Sequence, residues 1–166
     1  MQLLISDSNI LIDLIVAEQI ENMFQLPFSF AVPDILFTEE LQIDHSDLLE
    51  LGLSVIALSS ESVAYTFTLV EQYPKPGRND LFALALAKQE NCPLVTGDKD
   101  LRSAAEAEAI VLFGTIWIIE QLVRHEFITI IESREIFEKM KEQKRRLPWS
   151  LVQAHLDALE DELLNN

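Results

Sequence analysis

Two aspartates stand where an apolar run gives way to a helical pattern. Asp7 follows a predicted strand at residues 3–6, and Asp98 follows another at residues 93–96. The carboxyl ends of parallel strands meet at one edge of a sheet, which is where ligands usually bind, so we expect the two carboxylates to lie side by side. Either aspartate alone is more typical of a helix cap than of a binding site. The repetition favours a site.

Further acids can reach the same edge. Asp80 begins an Ala- and Leu-rich helix that runs to about Gln89, and Glu39 and Glu40 lie near the end of a helix predicted at residues 34–41. Clustered carboxylates repel one another unless a cation lies between them. An all-oxygen site suits Mg²⁺ or Mn²⁺, which can activate water to attack a phosphodiester. Spacing alone does not choose between the two glutamates.

The remaining pattern predicts the elements that position these acids. Short apolar segments alternate with helical segments, which predicts an α/β fold with a parallel sheet of about five strands and helices on both faces. The helix after Asp7 is expected to be capped by Ser8 or Asn9. The predicted strands are residues 3–6, 28–32, 53–58, 93–96 and 110–113. A helix that begins near Ser59 is predicted to carry Val63, Phe67 and Val70 on one apolar face.

Residues 131–166 depart from this alternation and predict two helices, at 133–146 and 150–164. We therefore divide the chain into a domain at residues 1–130 and a C-terminal two-helix extension. Packing of the first helix is predicted through Ile136, Phe137 and Met140. A basic face of the same helix is predicted to contain Lys141, Lys144 and Arg145, where RNA or an acidic partner could bind.

Composition narrows the class of protein. The 166 residues suffice for one domain with a proper core, and 49% are hydrophobic. The formal net charge is -16, and no Lys or Arg occurs before Lys75, so a general nucleic-acid binder is disfavoured while an enzyme that concentrates divalent cations is not. A single cysteine, Cys92, fits a reducing compartment. With no bilayer-spanning apolar run and no basic N-terminal start, a cytoplasmic protein without a membrane partner is expected.

Four segments match a known family in order and residue type. They read ISDSNILIDL, VPDILFTEEL, NDLFALALAKQENCPLVTGDKDL and GTIWIIEQL. These segments resemble the PIN-domain family, and within it the VapC-type toxins of prokaryotic toxin–antitoxin pairs. The resemblance covers residues 1–130. It implies a PIN-like three-layer α/β sandwich and a Mg²⁺- or Mn²⁺-dependent endoribonuclease that cleaves RNA phosphodiester bonds.

The resemblance also assigns the acids that bind the metal and carry the catalysis, namely Asp7, Glu40, Asp80 and Asp98. Glu40 is favoured over Glu39 because the second acid of the family stands directly before a leucine, here Leu41. Two further residues receive supporting roles by the same resemblance: Asn9 would support the Asp7 carboxylate, and Thr96 would hold a water or a phosphate. Asp100 could be an extra ligand, but a solvated acid in the first turn of its helix is the more typical role.

The resemblance implies three partners: an RNA substrate, a small antitoxin protein and a second copy in a homodimer. The reaction implied by the resemblance requires no histidine. The three histidines of the chain lie in segments without metal-ligand spacing and are expected to be surface or structural residues; they are His45, His125 and His155.

Two other classes of protein also gather acids at the ends of parallel strands, and neither fits this chain well. A phosphorylatable receiver domain needs an Asp after the third strand and a Lys after the fifth, where this chain has Ser59 and Gly114. A haloacid-dehalogenase-type phosphatase needs a second Asp where Asn9 stands. The stronger alternative is a catalytically weak or inactive PIN-fold interaction protein that acts through a partner.

Overall fold

A five-stranded parallel sheet forms the centre of the computed structural model, which describes all residues 1–166. The strand order is β3-β2-β1-β4-β5, and helices cover the sheet, which confirms the predicted α/β fold. The strands are β1 (Gln2–Ser6), β2 (Phe28–Pro33), β3 (Ser54–Ile56), β4 (Leu94–Val95) and β5 (Leu112–Phe113).

Helices connect the strands and complete the chain. Between β1 and β2 lie α1 (Ser8–Val16) and α2 (Ile20–Gln25); between β2 and β3 lie α3 (Asp34–Leu36), a π-helical turn (Phe37–Leu41), α4 (Gln42–His45) and α5 (Leu48–Leu51). The helices that follow are α6 (Ser60–Gln72), α7 (Arg78–Glu90), α8 (Lys99–Ala107), α9 (Thr115–Arg124), α10 (Ile130–Glu142) and α11 (Trp149–Leu164).

The connection order creates a switch point between β1 and β4. From β1 the chain moves outward to β2 and β3, then returns to place β4 on the other side of β1. Ile5 pairs with Leu94 and Ser6 with Val95, and all four side chains are buried. In open parallel sheets the crevice outside the carboxyl ends of such strands is the usual ligand site. The two strand-end aspartates follow these strands.

The packing face of α6 differs from the prediction. Phe67 is 60% exposed and Val70 is also exposed, whereas Thr66 and Leu69 are buried. The hydroxyl of Thr66 donates to the Ser62 carbonyl at 2.8 Å, so this polar side chain is satisfied within its own helix and can be buried. Apolar periodicity alone therefore indicated the wrong face.

The two C-terminal helices pack on the sheet domain. As predicted, Ile136, Phe137 and Met140 are buried, and they belong to the same core of 39 buried side chains as the strands. However, α10 ends at Glu142, so Lys144 and Arg145 lie beyond it and do not share a helical face with Lys141. No helix combines the length and apolar composition that crossing a bilayer requires.

Candidate functional site

Asp7 lies buried at the junction between β1 and α1. It is itself the N-cap of α1, since its Oδ1 accepts a hydrogen bond from the Ile10 amide at 3.0 Å; the predicted caps Ser8 and Asn9 are wrong. Its Oδ2 accepts a hydrogen bond from the Thr96 hydroxyl at 2.5 Å. Burial raises the pKa of Asp7 to about 7, although both hydrogen bonds oppose the rise.

Thr96 joins the two strand-end aspartates. Its hydroxyl donates to Asp7 and accepts from the Asp98 amide at 3.1 Å. Asp98 in turn caps α8, because its Oδ1 accepts from the Leu101 amide at 2.8 Å. Thr96 is completely buried, so its hydroxyl orients the two acids and does not contact solvent, contrary to the expected role of holding a water or phosphate.

Asp80 connects the remaining acids electrostatically. It lies in the first turn of α7, and its pKa is raised to about 6, first by burial and then by the negative charges of Asp98 and Glu40. The charge of Asp80 also contributes to the raised pKa of Asp7. The four predicted acids therefore belong to one region of unrelieved negative charge, although they come from four separate segments.

The π-helical turn separates Glu39 from Glu40. Oε1 of Glu40 accepts a hydrogen bond from the Ser8 hydroxyl at 3.1 Å, which directs this carboxylate toward the start of α1. Glu39 instead binds Arg78 at 2.8 Å and Asn79 at 2.9 Å, and these bonds lower its pKa. One glutamate is neutralised by its neighbours and the other adds to the acidic edge. Single π-turns of this kind occur frequently at functional sites.

The other supporting residues have different positions from those expected. Asn9 is exposed, and Asp7 receives its two hydrogen bonds from Thr96 and Ile10, not from Asn9. Asp100 lies half-buried in the first turn of α8, where it lines a cavity together with Asp98.

Two residues near the site, Asp13 and Arg102, were missed by sequence reasoning, and Arg145 was assigned to a basic helical face without its partner Asp13. Asp13, which is 5% exposed, accepts from the Thr115 hydroxyl at 2.8 Å and from Arg145 Nε at 2.5 Å. A lone acid on the apolar face of α1 was a signal for Asp13. The sequence contains no signal for the pairing of Arg145 with Asp13, because 132 positions separate the two partners.

Arg102 was also missed. Its Nη1 donates to the Thr96 carbonyl at 2.6 Å and to the Phe113 carbonyl at 3.2 Å, so it ties the ends of β4 and β5 together. A Cβ added at Gly114 would lie 3.3 Å from this nitrogen, which explains the small residue there.

Comparison with known proteins decides the family. A family model described as a PIN domain matches residues 3–161. The chain belongs to the PIN-domain family. PIN domains are generally nucleases, so at this coarse level the protein is assigned to the hydrolases.

Two solved structures are similar to this chain at low sequence identity. A chain of VapBC2 from Rickettsia felis, whose structure is bound to a DNA fragment from the promoter, is 20% identical with a TM-score of 0.50; the alignment covers 68% of this PIN-domain protein and 98% of that chain. A PilT N-terminus domain protein from the hyperthermophilic archaeon Sulfolobus solfataricus P2 is 17% identical with a TM-score of 0.47, covering 71% and 90%. A search of curated proteins returns no significant match.

The acidic edge fits a hard divalent cation in donor type and charge. PIN nucleases generally use divalent metals. No three acidic, histidine or cysteine side chains converge into a ready ligand set. Mg²⁺ does not require one, because proteins usually bind it through one or two carboxylates while waters and substrate phosphates supply the other ligands. The carboxylates of Asp80, Asp98 and Glu40 offer oxygens of this kind, and a cation would relieve their repulsion.

The buried Asp7 carboxyl predicts how stability depends on pH. It loses its proton near pH 7 in the folded protein but near pH 3.8 when unfolded, so between these values the folded state holds more protons. The free energy of unfolding should therefore fall as pH rises from 4 to 7. In Asp7→Asn this contribution disappears. In urea denaturation with EDTA, the free energy of unfolding of the variant relative to that of the wild type should therefore increase by a few kcal/mol, at most about 4, from pH 4 to pH 7.

The quantity to compare is the difference in free energy of unfolding between the variant and the wild type. The raised pKa of Asp80 makes the free energy of unfolding of both proteins fall with pH, so this shared slope cancels in the difference. An unchanged difference between pH 4 and pH 7 would show that Asp7 is not held in a buried, uncompensated position.

Proposed function

We propose that this PIN-domain protein is a divalent-metal-dependent endoribonuclease that cleaves RNA phosphodiester bonds and serves as the toxin of a toxin–antitoxin pair. The observation that supports the proposal is the electrostatic coupling of Asp7, Glu40 and Asp98 to Asp80 beside the sheet's switch point, with no basic side chain bound to any of the four. A site that keeps uncompensated carboxylates has a strained electrostatic ground state. Binding of Mg²⁺ or Mn²⁺ would relieve it.

Each acid then has a distinct role in the proposed reaction. Asp7, Asp80 and Asp98 would hold the cation, directly or through water, while the Thr96 hydroxyl links the Asp7 carboxylate to the Asp98 amide. When bound, the cation supplies Lewis acidity at the phosphate and makes water more acidic. Glu40, directed by the Ser8 hydroxyl and exposed, would be the group that accepts a proton from the attacking water.

In this proposal Asp100 is a peripheral acid. It lies in the first turn of α8, where the positive end of the helix dipole stabilises its negative charge.

Metal binding tests the site without knowledge of the substrate. In calorimetric titration with Mn²⁺ we expect Asp98→Asn to weaken binding at least about tenfold, since even residues that only support metal ligands typically cost 10–100-fold in affinity. Asp161→Asn is the matched control, because Asp161 is exposed on α11 and the substitution removes the same charge. Its affinity should equal that of the wild type. Equal weakening in both variants, or no binding to the wild type, would contradict a metal site at this edge.

The proposed partners follow from the same assignment. An antitoxin partner is suggested by the likeness to VapBC2, and exposed Phe67 and Val70 on α6 offer an apolar surface that a second copy in a homodimer could cover. A cytoplasmic location is proposed because the single Cys92 has no disulfide partner within the chain.

Two observations favour the alternative of a non-catalytic interaction protein. The net charge of -16 repels RNA, and both oxygens of Asp7 already accept hydrogen bonds from the protein. A cleavage assay separates the two functions, because the alternative predicts no metal-dependent loss of RNA at any enzyme concentration.

A further inference from the structure

We propose that the turn at residues 143–148 forms one wall of a groove that binds phosphates of the RNA strand next to the acidic edge. This inference rests on the proposed nuclease function and names residues outside the acids that would position its substrate. We call residues 143–148 the basic turn, because it contains three consecutive cationic residues, Lys144, Arg145 and Arg146.

A polar cavity separates the basic turn from α8. Its volume is about 900 Å³, near the upper end of the range of about 300–1,000 Å³ found for ligand sites. Asp98 and Asp100 line one side, and Lys144 and Arg146 line the other. The lining residues are mostly charged or polar, with Leu147 as the hydrophobic side chain, so the cavity suits a ligand that carries charge and hydrogen-bonding groups. A nucleic-acid strand, which carries both phosphate anions and sugar hydroxyls, matches this lining.

The cations of this cavity lack partners in a protein rich in acids. Of the twelve Lys and Arg residues, most are bound by carboxylates, backbone carbonyls or aromatic rings; these are Arg78, Lys88, Arg102, Arg124, Arg134, Lys139, Lys141 and Arg145. The structure records no such partner for Lys75, Lys99, Lys144 and Arg146. The last three of these line the cavity beside Asp98. With 28 acidic residues available, free cations gathered at one place indicate an anion from outside the chain.

The basic turn is held firmly in this position. Arg145 binds buried Asp13 on α1, and its Nη2 lies 3.4 Å from the Asn9 carbonyl. Backbone amides close the end of α10, since Lys144 N donates to Lys141 O and Arg145 N to Met140 O, both at 3.0 Å. This is the hydrogen-bond pattern of a Schellman motif. The two cations that flank Arg145 are thus fixed beside the helix that Asp7 caps.

A nucleic acid suits these mixed walls better than an acidic protein segment does. One phosphate can share a divalent cation with the acidic edge, as substrate phosphates commonly do, while its neighbours along the strand reach the basic turn. Phosphates repeat regularly along a strand, whereas the carboxylates of a protein segment do not. Because charges beyond about 8–10 Å are screened at physiological salt, the local cations decide binding more than the net charge of -16 does.

RNA binding in EDTA tests the groove apart from cleavage. A fluorescein-labelled single-stranded RNA is titrated with wild type, Lys144→Ala, Arg146→Ala, the double variant and Lys75→Ala, over a range of NaCl concentrations. Lys75→Ala is the matched control, because Lys75 is equally free of partners but lies outside the cavity. We expect the double variant to bind at least about tenfold more weakly and its salt dependence to fall by a slope of about 1.4, while the control stays within about twofold.

The groove is overturned if Lys75→Ala weakens binding as much as the cavity variants do, if no variant changes binding, or if the wild type does not bind RNA. It is also overturned if poly-glutamate displaces the RNA as well as unlabelled RNA does, because the turn would then bind acidic protein segments. If the wild type binds RNA in EDTA but does not cleave it in Mn²⁺, the nuclease proposal alone is contradicted, since binding and cleavage are measured independently. Thermal unfolding of each variant confirms that the fold is retained.

Discussion

Asp7→Asn should abolish metal-dependent RNA cleavage, with a loss of at least about 100-fold, the upper end of what residues that merely support a ligand cost. Asn has the same shape and can still cap α1 by accepting from the Ile10 amide, so the helix start is preserved. What disappears is the negative charge that Asp7 contributes to the acidic edge. Cleavage of a labelled single-stranded RNA in Mn²⁺ measures the effect.

Glu39→Gln is the matched control for this prediction. Glu39 lies next to Glu40 in the chain, but Arg78 and Asn79 hold its carboxylate away from the acidic edge. We expect its cleavage rate to stay within about twofold of wild type, because an exposed ion pair of this kind contributes little. Retained cleavage in Asp7→Asn, or an equal loss in both variants, would rule out the proposed catalytic site. Asp7→Asn should also resist urea better than wild type at pH 8 in EDTA, which excludes misfolding as the cause of lost activity.

Arg145→Met should lower the free energy of unfolding by about 3 kcal/mol at pH 8, because it leaves the buried Asp13 charge without its partner. Burial already raises the pKa of Asp13 even with Arg145 present. Without the guanidinium, Asp13 should take up a proton more readily, so the loss of stability should shrink at pH 5. Urea denaturation at the two pH values measures both effects.

The double variant Arg145→Met/Asp13→Asn provides the control. Asn at position 13 can still accept a hydrogen bond from Thr115, and no buried charge remains, so most of the lost stability should return. A stability unaffected by Arg145→Met would show that the basic turn is not anchored. A pH-independent loss would show that packing, and not the buried charge, causes the effect.

The sequence by itself determined the alternation of elements and the positions of the main acids. The apolar runs at β1 and β4 are local signals, since Asp7 follows β1 directly and Asp98 follows β4 after Thr96 and Gly97, and a parallel sheet brings such strand ends to one edge. The motifs that resemble the PIN-domain family then supplied the order of the acids, and the match over residues 3–161 confirms that family. These inferences required only neighbours along the chain and a rule about topology.

The face of α6 was not predictable in this way. Its buried residue Thr66 is polar, and its exposed residue Phe67 is apolar. Periodicity measures hydrophobicity, whereas burial of Thr66 depends on a hydrogen bond to Ser62 that cancels the cost of its hydroxyl.

Only the tertiary structure decided how differently the two glutamates are bound and which residues border the acidic edge. Glu39 and Glu40 are neighbours of identical chemistry, and the π-helical turn together with Ser8 and Arg78 sends them to different partners. The basic turn reaches α1 through a residue 132 positions away from its partner. Side-chain direction and long-range ion pairs depend on how helices and strands pack against one another in space. Local sequence does not determine that packing.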